Sequence, residues 1–362
     1  MFIPVIIKIA EQKKLYDLPD ERKLHNRPIA SLGGIGIFGG FFLASLLSIE
    51  VVNNPEFQYF FAAITVIFFL GIKDDLVILS ATKKFIGQVI AAAILIHLGG
   101  LRIDSMHGLF GITTLPEEFS IAISYISIIV ITNAFNLIDG VDGLAGTLGL
   151  LTMSLFGAYF YMADMPAYAL FAFAMAGSLV AFLIFNYNPA KIFMGDSGSL
   201  ILGLINAVLV IKFITVADNP SQSFHLESSV AIGFSILILP LADTLRVFSI
   251  RIFQGRSPFS PDRNHIHHLL LDRGMNVKFI TLSCLLLNML FITIAYFGRS
   301  MGPTFTMLTI ALMCFGFLGV LVYQKPLRKI MVPQPLQSNL EKSNRKITKV
   351  VSITTETAVA EN

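Results

Sequence analysis

Charged side chains are the scarcest feature of this 362-residue sequence. Asp, Glu, Lys and Arg make up 14% of it, where a soluble globular chain carries about a quarter. With 55% hydrophobic residues and a mean hydropathy of +0.74, that scarcity excludes an ordinary soluble domain. Cysteine is almost absent too. The two present, Cys284 and Cys314, fall inside apolar runs, which excludes a disulfide framework. No internal repeat is visible. No cleavable signal peptide is indicated, because the short apolar start leads straight into a charged loop. The net charge of +3 is small and gives no reason to expect nucleic acid as a partner.

What is present is a series of apolar runs near the ~20 residues that span a bilayer. They cover residues 31–49, 57–72, 84–98, 119 to about 135, 144–162, 167–187, 200–216, 229–253, 278–297 and 303–323. The apolar start, 1–10, is shorter than a span and reads as a truncated first helix or an interfacial stub. The expected fold is therefore all-α: a polytopic integral membrane bundle of 10–11 transmembrane helices over residues 1–323. The polar, mixed-charge tail 324–362 is expected to be disordered. A GxGxxG match lies within residues 33–40. It follows a charged loop rather than a strand, so it lacks the context of a dinucleotide fingerprint. Gly36 and Gly40, four residues apart, read instead as close helix packing in lipid.

Alternating the spans sorts the connecting loops into two sets. One set holds 11–30, 73–83, 136–143, 188–199, 254–277 and the tail, and it carries most of the Lys and Arg. The other holds 50–56, 99–118, 163–166, 217–228 and 298–302, with only Arg102 and Arg299. By the positive-inside rule the first set is cytoplasmic. The acidic motifs all fall in or beside that set: Asp74 and Asp75, Asn136 with Asp139 and Asp142, and Asp196.

Acids at membrane helix ends are costly and mark functional sites by default. If the helices bundle, five carboxylates face one pocket, and their repulsion calls for a divalent cation. An oxygen-only set of Asp and Asn suits Mg²⁺, with Mn²⁺ as the alternative. The candidate cations on the same side are Lys84, Arg251, Arg256 and Arg263, with His265, His267 and His268. Basic groups beside such a metal point to a phosphorylated substrate, in particular a diphosphate. Three histidines in four residues suit either metal or phosphate contact. With no cysteine on that face, substrate contact is the better reading. Asp243 and Arg246, three apart on one helix, are expected to pair with each other.

Four stretches occur together and in order. They are Lys73-Asp74-Asp75, then Asn133-Ala134-Phe135-Asn136-Leu137-Ile138-Asp139-Gly140-Val141-Asp142-Gly143. Phe193-Met194-Gly195-Asp196-Ser197-Gly198-Ser199 and Pro261-Asp262-Arg263-Asn264-His265-Ile266-His267-His268 follow. The set resembles the polyprenyl-phosphate N-acetylhexosamine-1-phosphate transferases, over about residues 11–320. The segment Asp17 to His25 is similar to that family's first cytoplasmic loop. The resemblance implies transfer of a sugar 1-phosphate from a UDP-amino sugar to a polyprenyl phosphate, with release of UMP. The enzyme would be Mg²⁺-dependent and multi-pass in the bacterial inner membrane, with its site on the cytoplasmic side and a homodimer as a further assembly.

The same resemblance implies roles. Asn136 and Asp196 match metal ligands. Asp74 and Asp75 match acids implicated in catalysis, and Asp139 and Asp142 match acids shaping the nucleotide and metal site. Phe193 matches the aromatic that stacks on uracil. Lys84, Arg251 and the histidines match groups near the diphosphate or sugar. A base toward the lipid phosphate is not obviously required, since a phosphate monoester with a second pKa near ~6 is already largely ionised. UDP-N-acetylglucosamine is the expected donor, with UDP-MurNAc-pentapeptide or another UDP-N-acetylhexosamine as alternatives. An ion-coupled transporter, the reading from a different class, expects acids near the midplane and repeat symmetry.

Overall fold

The computed structural model describes residues 2–13, 16–17, 29–257 and 264–323. The segment 18–28, Arg263 and the tail 324–362 lie outside the described residues. Helices dominate because the apolar runs have no solvent to satisfy their backbone groups, and only an internally bonded helix does so in lipid. In chain order they are α1 (Phe2–Lys13), α2 (Gly33–Ser48), α3 (Glu56–Leu76), α4 (Ala81–Ala93), α5 (Glu117–Ile138), α6 (Leu144–Met162) and α7 (Pro166–Asn186). There follow α8 (Gly195–Ala217), α9 (Ser229–Ile236), α10 (Ile238–Phe253), α11 (Ile266–Leu271), α12 (Val277–Gly298) and α13 (Pro303–Tyr323). A π turn over Ile94–Leu98 prolongs α4.

Among the described residues, seven of these helices are long and apolar enough to cross a membrane, or eight if α9 and α10 form one broken span. The 16-residue α2, the 21-residue α3 and the 12-residue α1 account for the rest of the expected elements. The protein is an all-α, multi-pass membrane bundle.

Two features depart from the sequence reading. The run 229–253 is not one straight helix: α9 and α10 meet at a bend of 79°. Pro240 has no N–H to offer the carbonyl of Ile236, four residues earlier. The Asn288 side chain on α12 takes its place. Its Nδ2 donates to Ile236 O at 3.0 Å, and its Oδ1 accepts from Leu239 N at 3.3 Å. The bend is thus satisfied from a neighbouring helix, as lipid burial requires. The link 99–118 also carries structure, an antiparallel hairpin of β3 (Ser105–Leu109) and β4 (Ile112–Thr114). A second, two-residue pairing joins Tyr16–Asp17 to Ile29–Ala30.

Helix α8 is the central pillar. It is buried along 83% of its apolar window, against 22% for the peripheral α13. It packs on α2, α3, α5, α6 and α9. At Gly71 the backbones of α3 and α8 nearly touch: a Cβ there would lie 2.4 Å from Ser197 Cα. That contact sets the last turn of α3 against the first turn of α8. Gly36 and Gly40 serve as close packing sites, facing Ile3 and Ser178 respectively.

Candidate active site

Because successive helices run antiparallel, the ends of α3, α5 and α7 and the starts of α4, α6 and α8 meet on one face. A cavity of about 1300 Å³ opens there. Asp74, Asp75, Lys84, Asn136, Asp139, Asp142, Phe193, Asp196 and His268 all line it. These side chains come from stretches more than a hundred residues apart, and they face one another only because α8 is central.

Each acid has distinct work. Asp75 caps the N-terminus of α8 from outside the helix. Its Oδ1 accepts from Asp196 N at 2.7 Å; its Oδ2 accepts from Ser197 N at 3.1 Å and from Ser197 Oγ at 2.6 Å. A carboxylate facing orphan helix N–H groups and the positive end of the dipole is favourably placed. Asp75 therefore positions Asp196 and has both oxygens engaged. Asp74 accepts from Leu79 N at 2.6 Å, which folds the 77–80 turn back toward α3, and it is ion-paired with Lys84. Lys84 Nζ also stands 2.6 Å from Asp196 Oδ2 and so bridges the two acids. Asn136 Nδ2 donates to Asp196 Oδ1 and to Ser199 Oγ, both at 2.9 Å. Asp142 Oδ2 accepts from Asn188 Nδ2 at 2.8 Å and from Ala190 N at 3.1 Å, fixing the 188–194 loop. That loop is strapped to the segment before α2 through Phe193 N to Ala30 O, 2.7 Å, and Gly33 N to Phe193 O, 2.9 Å. Phe193 is held at the wall as a result.

Asp139, at the C-terminal end of α5, stands apart. Burial first, and then the charges of Asp196, Asp75 and Asp142, push its pKa up to about 7. Five aspartates and Glu11 face the cavity, against Lys84 and Lys191. A diphosphate entering unaided would meet net negative charge.

The histidine stretch divides. His268 reaches the cavity, while His265 and His267 are buried behind it, which differs from the substrate contact expected of them. His265 Nδ1 lies 2.8 Å from Asp243 Oδ2, and Ile266 N donates to Asp243 Oδ1 at 2.9 Å. Asp243 also pairs with Arg246 at 2.9 Å, as the three-residue spacing suggests. This buried group anchors the start of α11. His267 lies under Gly140, where a Cβ would fall 2.1 Å from its Nε2. Burial, followed by the neighbouring His268, pushes its pKa down to about 3, so its ring is neutral and carries no charge for a phosphate. Arg251 is buried beside Phe248, and Arg256 is exposed beyond the end of α10; neither lines the cavity. Arg263 lies outside the described residues.

The region 57–214 matches the family model described as glycosyl transferase family 4. A decaprenyl-phosphate N-acetylglucosaminephosphotransferase of Mycobacterium leprae is 33% identical over 316 residues, covering 81% of this chain and 78% of the relative. A probable undecaprenyl-phosphate N-acetylglucosaminyl 1-phosphate transferase of Bacillus subtilis is 31% identical over 297 residues, 80% of this chain and 78% of the relative. The chain belongs to glycosyl transferase family 4. An undecaprenyl-phosphate alpha-N-acetylglucosaminyl 1-phosphate transferase of Yersinia pestis, 28% identical, covers 88% of this chain and 87% of its own length.

Three amide side chains beyond the candidate set also support the site of this family 4 transferase. Gln88 and Asn133 exchange two hydrogen bonds, 3.2 and 2.8 Å, one turn from Lys84 and Asn136 respectively. The pair ties α4 to α5 beneath the site. Asn186 joins the two site loops: its Oδ1 accepts from Gly143 N at 2.8 Å, and its Nδ2 donates to Ile192 O at 2.9 Å. The available signal was an amide inside an apolar span, which needs a partner there.

Proposed function

We propose that this protein transfers N-acetylglucosamine 1-phosphate from its UDP derivative to a polyprenyl phosphate, releasing UMP, on the cytoplasmic side of a bacterial inner membrane. The observation that carries the reading is the set of four helix ends that bring Asp74, Lys84, Asn136 and Asp196 together at one cavity. The printed activities of the relatives supply the substrate classes.

A phosphate oxygen of the lipid forms a bond to the β-phosphorus of the donor. The bond from that phosphorus to the bridging oxygen breaks, and UMP leaves with the electron pair. Such a transfer asks for in-line placement and charge neutralisation rather than covalent catalysis. Lys84 is positioned to contact the diphosphate, held by Asp74 and Asp196. Phe193, fixed by its backbone straps, offers a ring to the uracil. Asp142 and Asn186 keep its loop in place.

The donor set fits Mg²⁺. Asn136 Oδ1 has no hydrogen-bond donor among the described residues, and the Nδ2 of the same amide adjoins the Asp196 carboxylate. No three His, Cys, Asp or Glu side chains among the described residues are grouped to hold a metal by themselves. Mg²⁺ takes one or two carboxylates and completes its shell with substrate phosphates and water. Bound there by Asn136 and Asp196, the ion supplies charge neutralisation of the diphosphate. The test is UMP release by the purified chain with Mg²⁺, polyprenyl phosphate and a panel of UDP-sugars. Release is expected with UDP-N-acetylglucosamine and is lost with EDTA; no release with any donor overturns the reading.

A further inference from the structure

The opposite face of the bundle holds a second cavity, of about 300 Å³, where α3 and α7 begin and α8 nears its end. Glu56, Tyr168, Lys212 and the turn from Gly99 to Arg102 wall it. Lys212 stands on the buried pillar α8, with Nζ 4.8 Å from the centroid of the Tyr168 ring. Among the described residues it has no hydrogen bond and no carboxylate within ion-pair distance. The Tyr168 hydroxyl donates to Glu56 Oε1 at 2.9 Å, and the other Glu56 oxygen takes no hydrogen bond among the described residues. Arg102 is already matched, by Glu117 at 3.1 Å and Asp104 at 3.8 Å. Apart from Arg102 and Asp104, which pair with each other, the cavity presents one cation, Lys212, and one anion, Glu56, each in contact with Tyr168. Both side chains are half-buried, so each has lost part of its hydration without a full ion pair in return.

A lone anion would be drawn to Lys212 and repelled by Glu56, and a lone cation the reverse. A group carrying a phosphate and a primary ammonium a few atoms apart matches both at once. We propose that this cavity binds a phosphoethanolamine group, with its phosphate on Lys212 and its ammonium on Glu56. Glu56 opens α3 and Lys212 lies in the last two turns of α8, and long charged side chains near helix ends reach the headgroup level. The group could equally come from a soluble ester, and the chemistry recognised is the same. This site stands apart from the transfer reaction.

The test uses the full chain, delipidated in detergent, with melting temperature and binding affinity as readouts. Phosphatidylethanolamine, phosphatidylcholine, phosphatidylglycerol and free phosphoethanolamine are added separately. Phosphatidylethanolamine is expected to raise the melting temperature and to bind at least about tenfold more tightly than phosphatidylglycerol, as charge-assisted hydrogen bonds at both ends require. Phosphatidylcholine, whose ammonium cannot donate, should fall behind it. Stabilisation by free phosphoethanolamine as well identifies a soluble source; stabilisation by the lipid alone identifies the membrane. Lys212→Met and Glu56→Gln should each remove the preference, and Lys212→Arg should retain it. Equal stabilisation by all three lipids overturns the proposal, as does tighter binding of phosphatidylglycerol that depends on Lys212 alone.

Discussion

The two ends of α8 solve the same problem differently. At its start, Asp196 is surrounded: Lys84 and Asn136 hold its oxygens, and Asp75 holds its backbone N–H together with the Ser197 groups. Near its end, Lys212 stands over the face of Tyr168, with Glu56 in the same cavity but beyond ion-pair distance. One end is a closed network in which each charge is supported by a neighbouring helix. The other leaves a charge facing a cavity. Asp196 stands in the first turn of α8 and Lys212 in its last two turns, so a place near a helix end does not by itself assemble a site. The difference lies in convergence, since the start of α8 meets three other helix ends and the far end meets one turn and two helices.

The largest effect should come from breaking the closed end. Asp196→Asn removes the charge that Lys84 and the proposed metal share, and transfer should fall by roughly 10²–10³-fold or more, the scale of losing one electrostatic contact to the transition state. Activity within a few-fold of the parent would sink the site assignment. Asp75→Ala should act first on stability. It leaves two backbone N–H groups and the Ser197 hydroxyl without their acceptor, a loss of roughly 3 kcal/mol, seen as a lower denaturation midpoint with activity falling alongside. A normal midpoint with lost activity would instead make Asp75 a direct participant.

Asp139 gives a smaller effect that depends on pH. Its pKa is raised in the folded protein to about 7, against about 3.9 when unfolded. Between those values the folded state holds more protons, so stability falls as pH rises through 7. In EDTA the parent should lose melting temperature from pH 5 to 8, and Asp139→Asn should flatten that slope; parallel curves would refute the assignment. The smallest effect belongs to the far end: Lys212→Met should leave transfer within about twofold, because Lys212 lines a different cavity at the other end of α8.

Much of this was legible beforehand, for identifiable reasons. Asp74, Asp75, Asn136, Asp139, Asp142 and Asp196 could be picked out because a charge inside an apolar sequence is conspicuous, and the alternation of spans placed them on one side. His265 and His267 could not be sorted from His268 in the same way. Three histidines within four positions look alike in a sequence, yet Asp243, on a different helix and twenty-two residues away, turns His265 inward, and the close approach of Gly140 receives His267. The bend at Leu237 was equally hidden, since Pro240 signals a lost hydrogen bond but not the Asn288 side chain that compensates for it.

The sequence by itself determined that the chain is a helical membrane bundle, because lipid leaves an apolar run of span length few other structures. It also determined the inventory of oxygen and ammonium groups available at the helix ends. Only the tertiary structure decided which group serves which purpose: that Asp75 holds a helix while Asp196 faces the cavity, and that Lys84 is shared by two acids while Lys212 has no carboxylate within ion-pair distance among the described residues. Those assignments depend on distances of a few ångströms between elements far apart in the chain, and electrostatic and hydrogen-bond energies change steeply over that range.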